Sequence, residues 1–457
     1  MPTFTPEFLV RATGGRWTTL PTEKLIGFTQ DTRRLTPGQV FVALRTPQRD
    51  GHDFLAEARK AGASAAIVAR VDDGCALPQL VVPDPLQAFQ AIARDHRRTF
   101  RGPVIAITGS AGKTSTKNLL AALLGSETRV LATEGNLNNL LGVPLTLTRI
   151  DPDQHAYAVI EAGISEPGEM AVLAAMIEPD VALVTLVAPA HLEALGSVDG
   201  VAREKSLLAR AARLAILPKP LLAFAAFRSL DVRTLLVEPA EVIRPDVPAP
   251  ESAYFAVSHR ENITALSLAY GPPPPRMFTL PRVSDGMAQN AVLAVCTALR
   301  LGLPIDTIRA RLAAWRPAAM RGELRRDGER LVYLDCYNAN PASMADALAN
   351  FYRITPVESP RLFVLGGMEE LGPDAARYHR ALGRQLQLRP EDACCVIGDE
   401  AESVKLGALE SGMRADQFLV TTTLEPIARR VSAFRGSVFI KGSRKHALER
   451  ALGLAPH

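Results

Sequence analysis

Residues 104–117 read Val-Ile-Ala-Ile-Thr-Gly-Ser-Ala-Gly-Lys-Thr-Ser-Thr-Lys, and no other stretch limits the possible folds as tightly. A short apolar run, a glycine turn, and Lys-Thr opening a helix through Leu119, Leu120, Leu123 and Leu124 predict strand, loop and helix in succession. Such a loop aims successive backbone N–H groups at one point and adds the positive end of a helix, so a phosphate is held there without a dedicated cage. Lys113 would reach the outer phosphates as a point charge, and Thr114 would offer its hydroxyl to a magnesium ion. The longer phosphate-loop pattern has a glycine where this chain has Ile107, so the loop is the short form from Thr108 to Thr114. A bare Gly-x-x-Gly-Lys-Thr also occurs as a strand-to-helix turn with a surface lysine; the flanking strand and helix favour nucleotide binding.

Around this unit, apolar strands are predicted at residues 104–107, 156–160, 181–186 and 214–217, alternating with helices, which argues a mostly parallel sheet covered by helices. Residues 232–283, with Pro272 to Pro275, read as a strand-like antiparallel edge. Before it, residues 1–84 mix short strands with one helix at 54–61, and residues 86–98 form an amphipathic helix leading into the loop. After it, strands at 331–334, 362–365, 393–397, 418–421 and 437–440 suggest a second open α/β sheet of the dinucleotide-fold type. That sheet lacks a Gly-x-Gly-x-x-Gly turn after its first strand, which leaves a cofactor there unsupported. The expected organisation is therefore α/β in three domains, at 1–84, 85–316 and 317–457, as the length of 457 residues allows.

Hydrophobic residues make up 47% and charged residues 22%, and Lys plus Arg exceed Asp plus Glu by four, with no basic run interleaved with aromatics. Nucleic acid is not the indicated partner. Cys75, Cys296, Cys336, Cys394 and Cys395 are odd in number and show no Cys-x-x-Cys spacing, so neither a disulfide framework nor a zinc site is indicated. No signal-peptide pattern occupies residues 1–20, and Pro218 and Pro220 interrupt the most apolar region, so no membrane span is expected and a reduced, cytoplasmic setting is.

Acidic groups fall where an α/β nucleotide site needs them. Glu161 follows an apolar strand and precedes Ala162-Gly163, where a carboxylate can take magnesium directly or through water; a helix-capping or solvated glutamate is the other reading. His191-Leu192-Glu193 follows the next strand, but the Pro-Cys-x-x-Cys of a zinc deaminase is absent, so His191 is either a loop residue or a ligand beside the phosphates. Lys205, on a helix expected at 201–213, reads alone as a surface lysine.

Taken together, the motifs resemble those of the Mur ligases, ATP-dependent amide-forming enzymes of peptidoglycan synthesis and cell-wall biogenesis. The resemblance runs through the loop Thr108 to Lys117, Thr133-Glu134-Gly135-Asn136 with Gly142-Val143-Pro144, Glu161-Ala162-Gly163, and Ala190-His191-Leu192-Glu193. It continues through Asp335-Cys336-Tyr337-Asn338-Ala339-Asn340-Pro341, Gly366-Gly367-Met368 with Glu370-Leu371-Gly372, and Lys441-Gly442-Ser443-Arg444. The Asn338 to Pro341 run is similar to the member that adds D-alanyl-D-alanine to UDP-N-acetylmuramoyl-tripeptide.

The resemblance implies ATP phosphates held by Gly109, Ser110, Ala111, Gly112, Lys113, Thr114 and Ser115, with Mg2+ on Thr114, Glu161 and His191. It implies a lysine carbamylated at Lys205 as a further metal ligand, Arg321 entering the ATP site from the third domain, and Asp335 on the ribose. It implies a uridine-nucleotide site at Asp31, Thr32, Arg33, Asp50, Gly51 and His52, and peptide contacts from Asn138, Asn139 and Ser165. Where the family often has His-Asn near the adenine, this chain reads Ser284-Asp285-Gly286-Met287-Ala288-Gln289-Asn290, leaving Asn290 as the retained ATP contact; Leu186-Val187 replaces a usual Asn-Ile. Two other readings stay open: a related amide ligase of another Mur or polyglutamate type, and a phosphate-loop NTPase without ligation.

Overall fold

The computed structural model describes residues 2–241, 243, 251–327 and 330–455, and its architecture is α/β, built on three main sheets. In the first sheet, strands Gln79–Val81, Ala65–Val68, Val40–Val42 and Phe28–Thr29 run parallel, and Arg16–Trp17 adds an antiparallel edge. Val40 and Val42 face one apolar cluster while Phe41 and Ala43 face another, so both faces are covered and the strand reads as an unbroken apolar run.

The central sheet has nine strands. Its heart is Val104–Thr108, flanked in parallel by Val181–Val184 on one side and Tyr157–Glu161 on the other. Along Val104–Thr108, Val104 and Ala106 enter one core and Ile105 and Ile107 the opposite one. The proline-rich edge begins one strand later than the sequence suggests: Arg233–Pro239 and Ser252–His259 still pair in parallel. The antiparallel register starts between Ser252–His259 and Ile263–Ala269 and continues to Arg276–Pro281. Within this stretch, residues 242 and 244–250 lie outside the described residues.

The third sheet runs Glu323–Asp327, Arg330–Asp335, Ser437–Lys441, Arg361–Gly366, Ala393–Ile397, Phe418–Thr421, parallel throughout except for the first pair. Helices Pro341–Ile354, Ala375–Arg384 and Ala401–Glu410 cover one face and Glu425–Ala433 the other, as an open doubly wound sheet requires.

Helix Pro85–Arg97 joins the first two sheets. Asp84 caps it through the Leu86 and Gln87 N–H groups, and Pro85 opens it. Ala88, Phe89 and Ile92 pack into the first core and Ala93 into the central one. Its last residue, Arg97, is buried and donates to the Ile177 carbonyl at 2.9 Å, the Glu178 carbonyl at 2.7 Å and Asp180 Oδ2 at 3.2 Å. Asp180 Oδ2 also accepts from the Val104 N–H at 3.0 Å, so this cluster fixes the start of the strand that carries the phosphate loop. Arg97→Met keeps the apolar stem but strands these acceptors. It is expected to cost about 3 kcal/mol, read as a lower denaturation midpoint by circular dichroism.

Candidate functional site

Three adjacent parallel strands end on the same side of the central sheet, and each delivers one part of the site. Val104–Thr108 delivers the loop Gly109 to Gly112, Tyr157–Glu161 ends on the Glu161 carboxylate, and Val181–Val184 leads to His191. Gly112 has φ +80°, a left-handed turn that starts helix Lys113–Leu124 at once. The loop is pinned from the neighbouring strand end. Thr185 Oγ1 donates to the Ala111 carbonyl at 2.5 Å, Ser110 N–H to the Leu186 carbonyl at 2.9 Å, and Ser110 Oγ exchanges bonds with Ala188 at 2.9 and 3.0 Å. Leu186 serves through its backbone carbonyl, which any residue supplies, so the departure from Asn-Ile at 186–187 leaves this bond intact.

Charge is concentrated below the loop. Glu161 is 1% exposed; its Oε1 accepts from Thr114 Oγ1 at 3.1 Å and Asn138 Nδ2 at 2.8 Å, while Oε2 is buried with no hydrogen-bond partner among the described residues. Lys113 Nζ folds back onto the Gly109 carbonyl at 2.8 Å, and burial pushes its pKa down. Lys205 is 1% exposed on helix Val198–Arg210; burial first, and the Lys113 charge second, push its pKa well below the ordinary lysine value. His191 sits at φ +53° with Nδ1 against Glu370 Oε2 of the third body, and this contact holds the Glu370 carboxyl below its ordinary range. Among the described residues no three His, Cys, Asp or Glu side chains converge, so a divalent ion here would depend on hydroxyl and phosphate oxygens beside Glu161.

The third body closes over the loop. Asn340 Nδ2 donates to the Ser110 carbonyl at 2.9 Å, and Asp346 Oδ1 accepts from the Gly286 N–H at 2.9 Å. Asp335 Oδ2 accepts from the buried Lys441 Nζ at 2.6 Å, and the Arg321 guanidinium lies 4.0 Å above the Tyr337 ring. The result is a cavity of about 280 Å³ that brings together Ser110, Ala111, Gly112, Lys113, Thr114, Ser115, Asn138, Glu161, Asn290, Arg321 and Asp335. Asn290 stands over Gly112: a Cβ there would lie 2.3 Å from Asn290 Nδ2. At the far end, Ser284, Gly286, Gln289 and Asp346 replace the expected His-Asn pair as the polar lining. His191 and Lys205 stand behind this cavity rather than in its wall.

The other candidates lie outside the lining of this cavity. The Asn139 carboxamide oxygen accepts from the Leu141 and Gly142 N–H groups at 3.1 and 2.9 Å, where helix Gly142–Leu147 begins. Ser165 is exposed, its N–H bonded to Glu169 Oε2 at 2.7 Å. Far from the cavity, His52 is buried with Nδ1 2.6 Å from Asp50 and Nε2 accepting from the Ala69 N–H at 2.9 Å, and Asp50 also takes Arg70 at 2.9 Å. Asp50, Gly51 and His52 thus hold their own loop. Asp31, Thr32 and Arg33 lie at the surface, with Arg33 79% exposed and paired to Asp31 at 2.8 Å and Thr32 bonded to Glu57 at 2.8 Å.

Sequence alone assigned no role to Lys117, Thr185, Asn340, Glu370 or Lys441. Lys117 Nζ donates to the Thr133 carbonyl at 2.5 Å, and Thr133 Oγ1 accepts from the Glu161 N–H at 2.9 Å, which ties the loop helix to the carboxylate strand. Asn340, Glu370 and Lys441 lie inside the resemblance motifs, which was the available signal.

Similarity to known proteins extends over nearly the whole chain. The Mur ligase middle domain model matches residues 107–220, and the Mur ligase glutamate ligase domain model matches residues 320–455. The chain is 32% identical over 430 residues to the UDP-N-acetylmuramoyl-tripeptide–D-alanyl-D-alanine ligase of Escherichia coli (strain K12), covering 93% of this chain and 92% of that one. The crystal structure of MurF from Acinetobacter baumannii superposes with a TM-score of 0.86 at 28% identity, covering 99% of this chain and 98% of that one. The Thermotoga maritima MurF ligase in complex with ADP gives 0.78 at 26% identity, covering 93% and 96%.

Gly112→Ala tests the cradle directly, because alanine would have to hold φ +80° and meet Asn290. Affinity for an ATP analogue, measured by calorimetry, should fall about tenfold or more.

Proposed function

The chain belongs to the Mur ligase family, and from that premise we propose how it works: it is an ATP-dependent ligase that joins D-alanyl-D-alanine to the terminal carboxylate of UDP-N-acetylmuramoyl-tripeptide. The observation that carries this reading is the meeting, in one cavity, of a phosphate loop, a buried carboxylate with a free oxygen, and residues of the third body.

A carboxylate is unreactive toward an amine, so ATP first phosphorylates the tripeptide carboxylate to an acyl phosphate. The dipeptide amine then attacks the acyl carbon, and the tetrahedral intermediate expels phosphate. Every reacting species is anionic, and two cationic side chains supply the matching field: Lys113 on the transferring phosphoryl group and Arg321 from the third body. Asn340 and Asp335 would hold the nucleotide from the third side, and Asn290 would sit beside the phosphates. Closing the third body onto the central one around the cavity keeps water from the acyl phosphate.

Magnesium fits the donors present. Thr114 Oγ1 and the unpartnered Glu161 Oε2 would hold one ion with phosphate oxygens, and His191 with a carbamate on Lys205 a second. Such ions neutralise developing phosphate charge. Carbamate formation needs a neutral amine, and burial beside Lys113 favours that form of Lys205. Asp31, Thr32 and Arg33 of the first body would take the uridine nucleotide, with Asp50 and His52 fixing the loop beside them, and Asn138 would reach the peptide. The three units correspond to residues 1–84, 85–316 and 317–457, and the substrates place the reaction in the cytoplasm. No helix among the described residues is long and apolar enough to cross a membrane.

ATP consumption by the purified protein, with each substrate omitted in turn, tests the assignment. Turnover should require both the UDP-linked tripeptide and D-alanyl-D-alanine; steady hydrolysis without the dipeptide would favour a plain NTPase. Lys113→Ala should lower turnover roughly a hundredfold or more with the fold unchanged. Lys205→Ala should be comparably impaired and partly restored by acetate or bicarbonate, and intact-protein mass spectrometry under carbon dioxide trapping should show the carbamate on the parent alone.

A further inference from the structure

The loop that follows Val181–Val184 and the loop that follows Arg361–Gly366 belong to different bodies, yet they meet through an unusual pair of residues. His191 has φ +53° and Glu370 φ +61°. A non-glycine residue in this region costs on the order of 1–3 kcal/mol and persists where its surroundings over-determine it. Here two such residues face each other, with Glu370 Oε2 against His191 Nδ1.

The backbones around them interlock. Glu193 N–H points to the Glu370 carbonyl at 3.4 Å, and Leu195 N–H closes on the His191 carbonyl at 2.9 Å. Gly372, at φ +63°, lies so close that a Cβ there would be 3.2 Å from Glu193 Cα and 3.3 Å from its nitrogen. Behind this contact Tyr378 packs against the central core and the third core together. The His191 side chain is 22% exposed and the Glu370 side chain 53%, so this is a rim contact, not a desolvated ion pair.

We propose that Glu370 is a positioning residue that holds His191 from the opposite body, so that His191 becomes a competent metal ligand only when the third body is seated. The inference rests on the reading of His191 as a ligand. An ionised carboxylate only accepts, so a hydrogen bond from His191 would place the hydrogen of a neutral imidazole on Nδ1 and leave the Nε2 lone pair for a cation; the contact as it stands brings the two atoms together without regular hydrogen-bond geometry at Nδ1. Ligating histidines commonly donate their other nitrogen to a carboxylate, which fixes ring and tautomer together. Here that carboxylate comes from a body that must dock to supply it. His191 then reports the seating of the third body to the centre of the reaction. An ordinary surface ion pair would stabilise docking but leave metal binding unaffected.

The test uses the full-length protein and Mn2+ as the spectroscopic stand-in, titrated by electron paramagnetic resonance with a non-hydrolysable ATP analogue present. Glu370→Ala should weaken the looser Mn2+ site about tenfold or more. Glu370→Gln keeps an accepting oxygen and should stay within about threefold of the parent. Equal losses in the two variants would mean that charge pairing, not orientation of the imidazole, is the role, and would overturn the proposal. Parent-like Mn2+ binding by Glu370→Ala would overturn it as well. If the alanine variant loses its circular dichroism spectrum, Glu370→Ser takes its place under the same criteria. His191→Ala separates the two levels: unchanged Mn2+ binding there would overturn the ligand reading of His191 itself, whereas loss there with no effect at Glu370 would overturn only the coupling.

Discussion

A buried carboxylate with only one of its oxygens satisfied is the constraint on which the rest of the site depends. Glu161 receives Thr114 and Asn138 on Oε1, and its N–H is held by Thr133, whose carbonyl in turn anchors Lys117. One residue thus joins the loop helix, the carboxylate strand and the loop carrying Asn138. Burying an ion is unfavourable unless opposite charge lies close, and Lys113 and Lys117 both feel Glu161 as their strongest attraction. Lys205 is buried near the same point, where burial and the Lys113 charge favour its neutral form.

The sequence made the local parts of this arrangement visible and hid the long-range ones. The strand, loop and helix around Lys113 follow from neighbouring residues, and so does a carboxylate at the next strand end. Asn139 and His52 carry the right residue types, but their hydrogen bonds run inward, to a helix start and to a loop. Nothing in residue type distinguishes an inward amide from an outward one. Asn340 meets Ser110 across 230 residues and Lys441 meets Asp335 across 106, and only the folded chain brings such pairs together. The edge beginning at Ser252–His259 shows the same limit, since a strand's direction is set by its partner rather than by its own residues.

The third sheet has the topology of a nucleotide-binding sheet, yet its strand ends face the loop of the central sheet. Its strand order reverses between Ser437–Lys441 and Arg361–Gly366, where such a sheet usually opens a crevice. His446, 7% exposed at its side chain, fills that position against Gly366, Gly367 and Gly398. Asp335, at the end of Arg330–Asp335, and Asn340, at the cap of the following helix, instead face the loop of the central sheet.

Helix Pro85–Arg97 carries a different consequence, for modularity. Its Phe89 and Ile92 complete one core while Ala93 and Arg97 complete the next. A cut on the N-terminal side of the helix strips the first core of its cover, and a cut on the C-terminal side strips the central sheet of its brace. The N-terminal unit of this protein therefore cannot be lifted out as an independent part and grafted elsewhere without carrying a raw apolar seam. Any inheritance of the two units has to be joint.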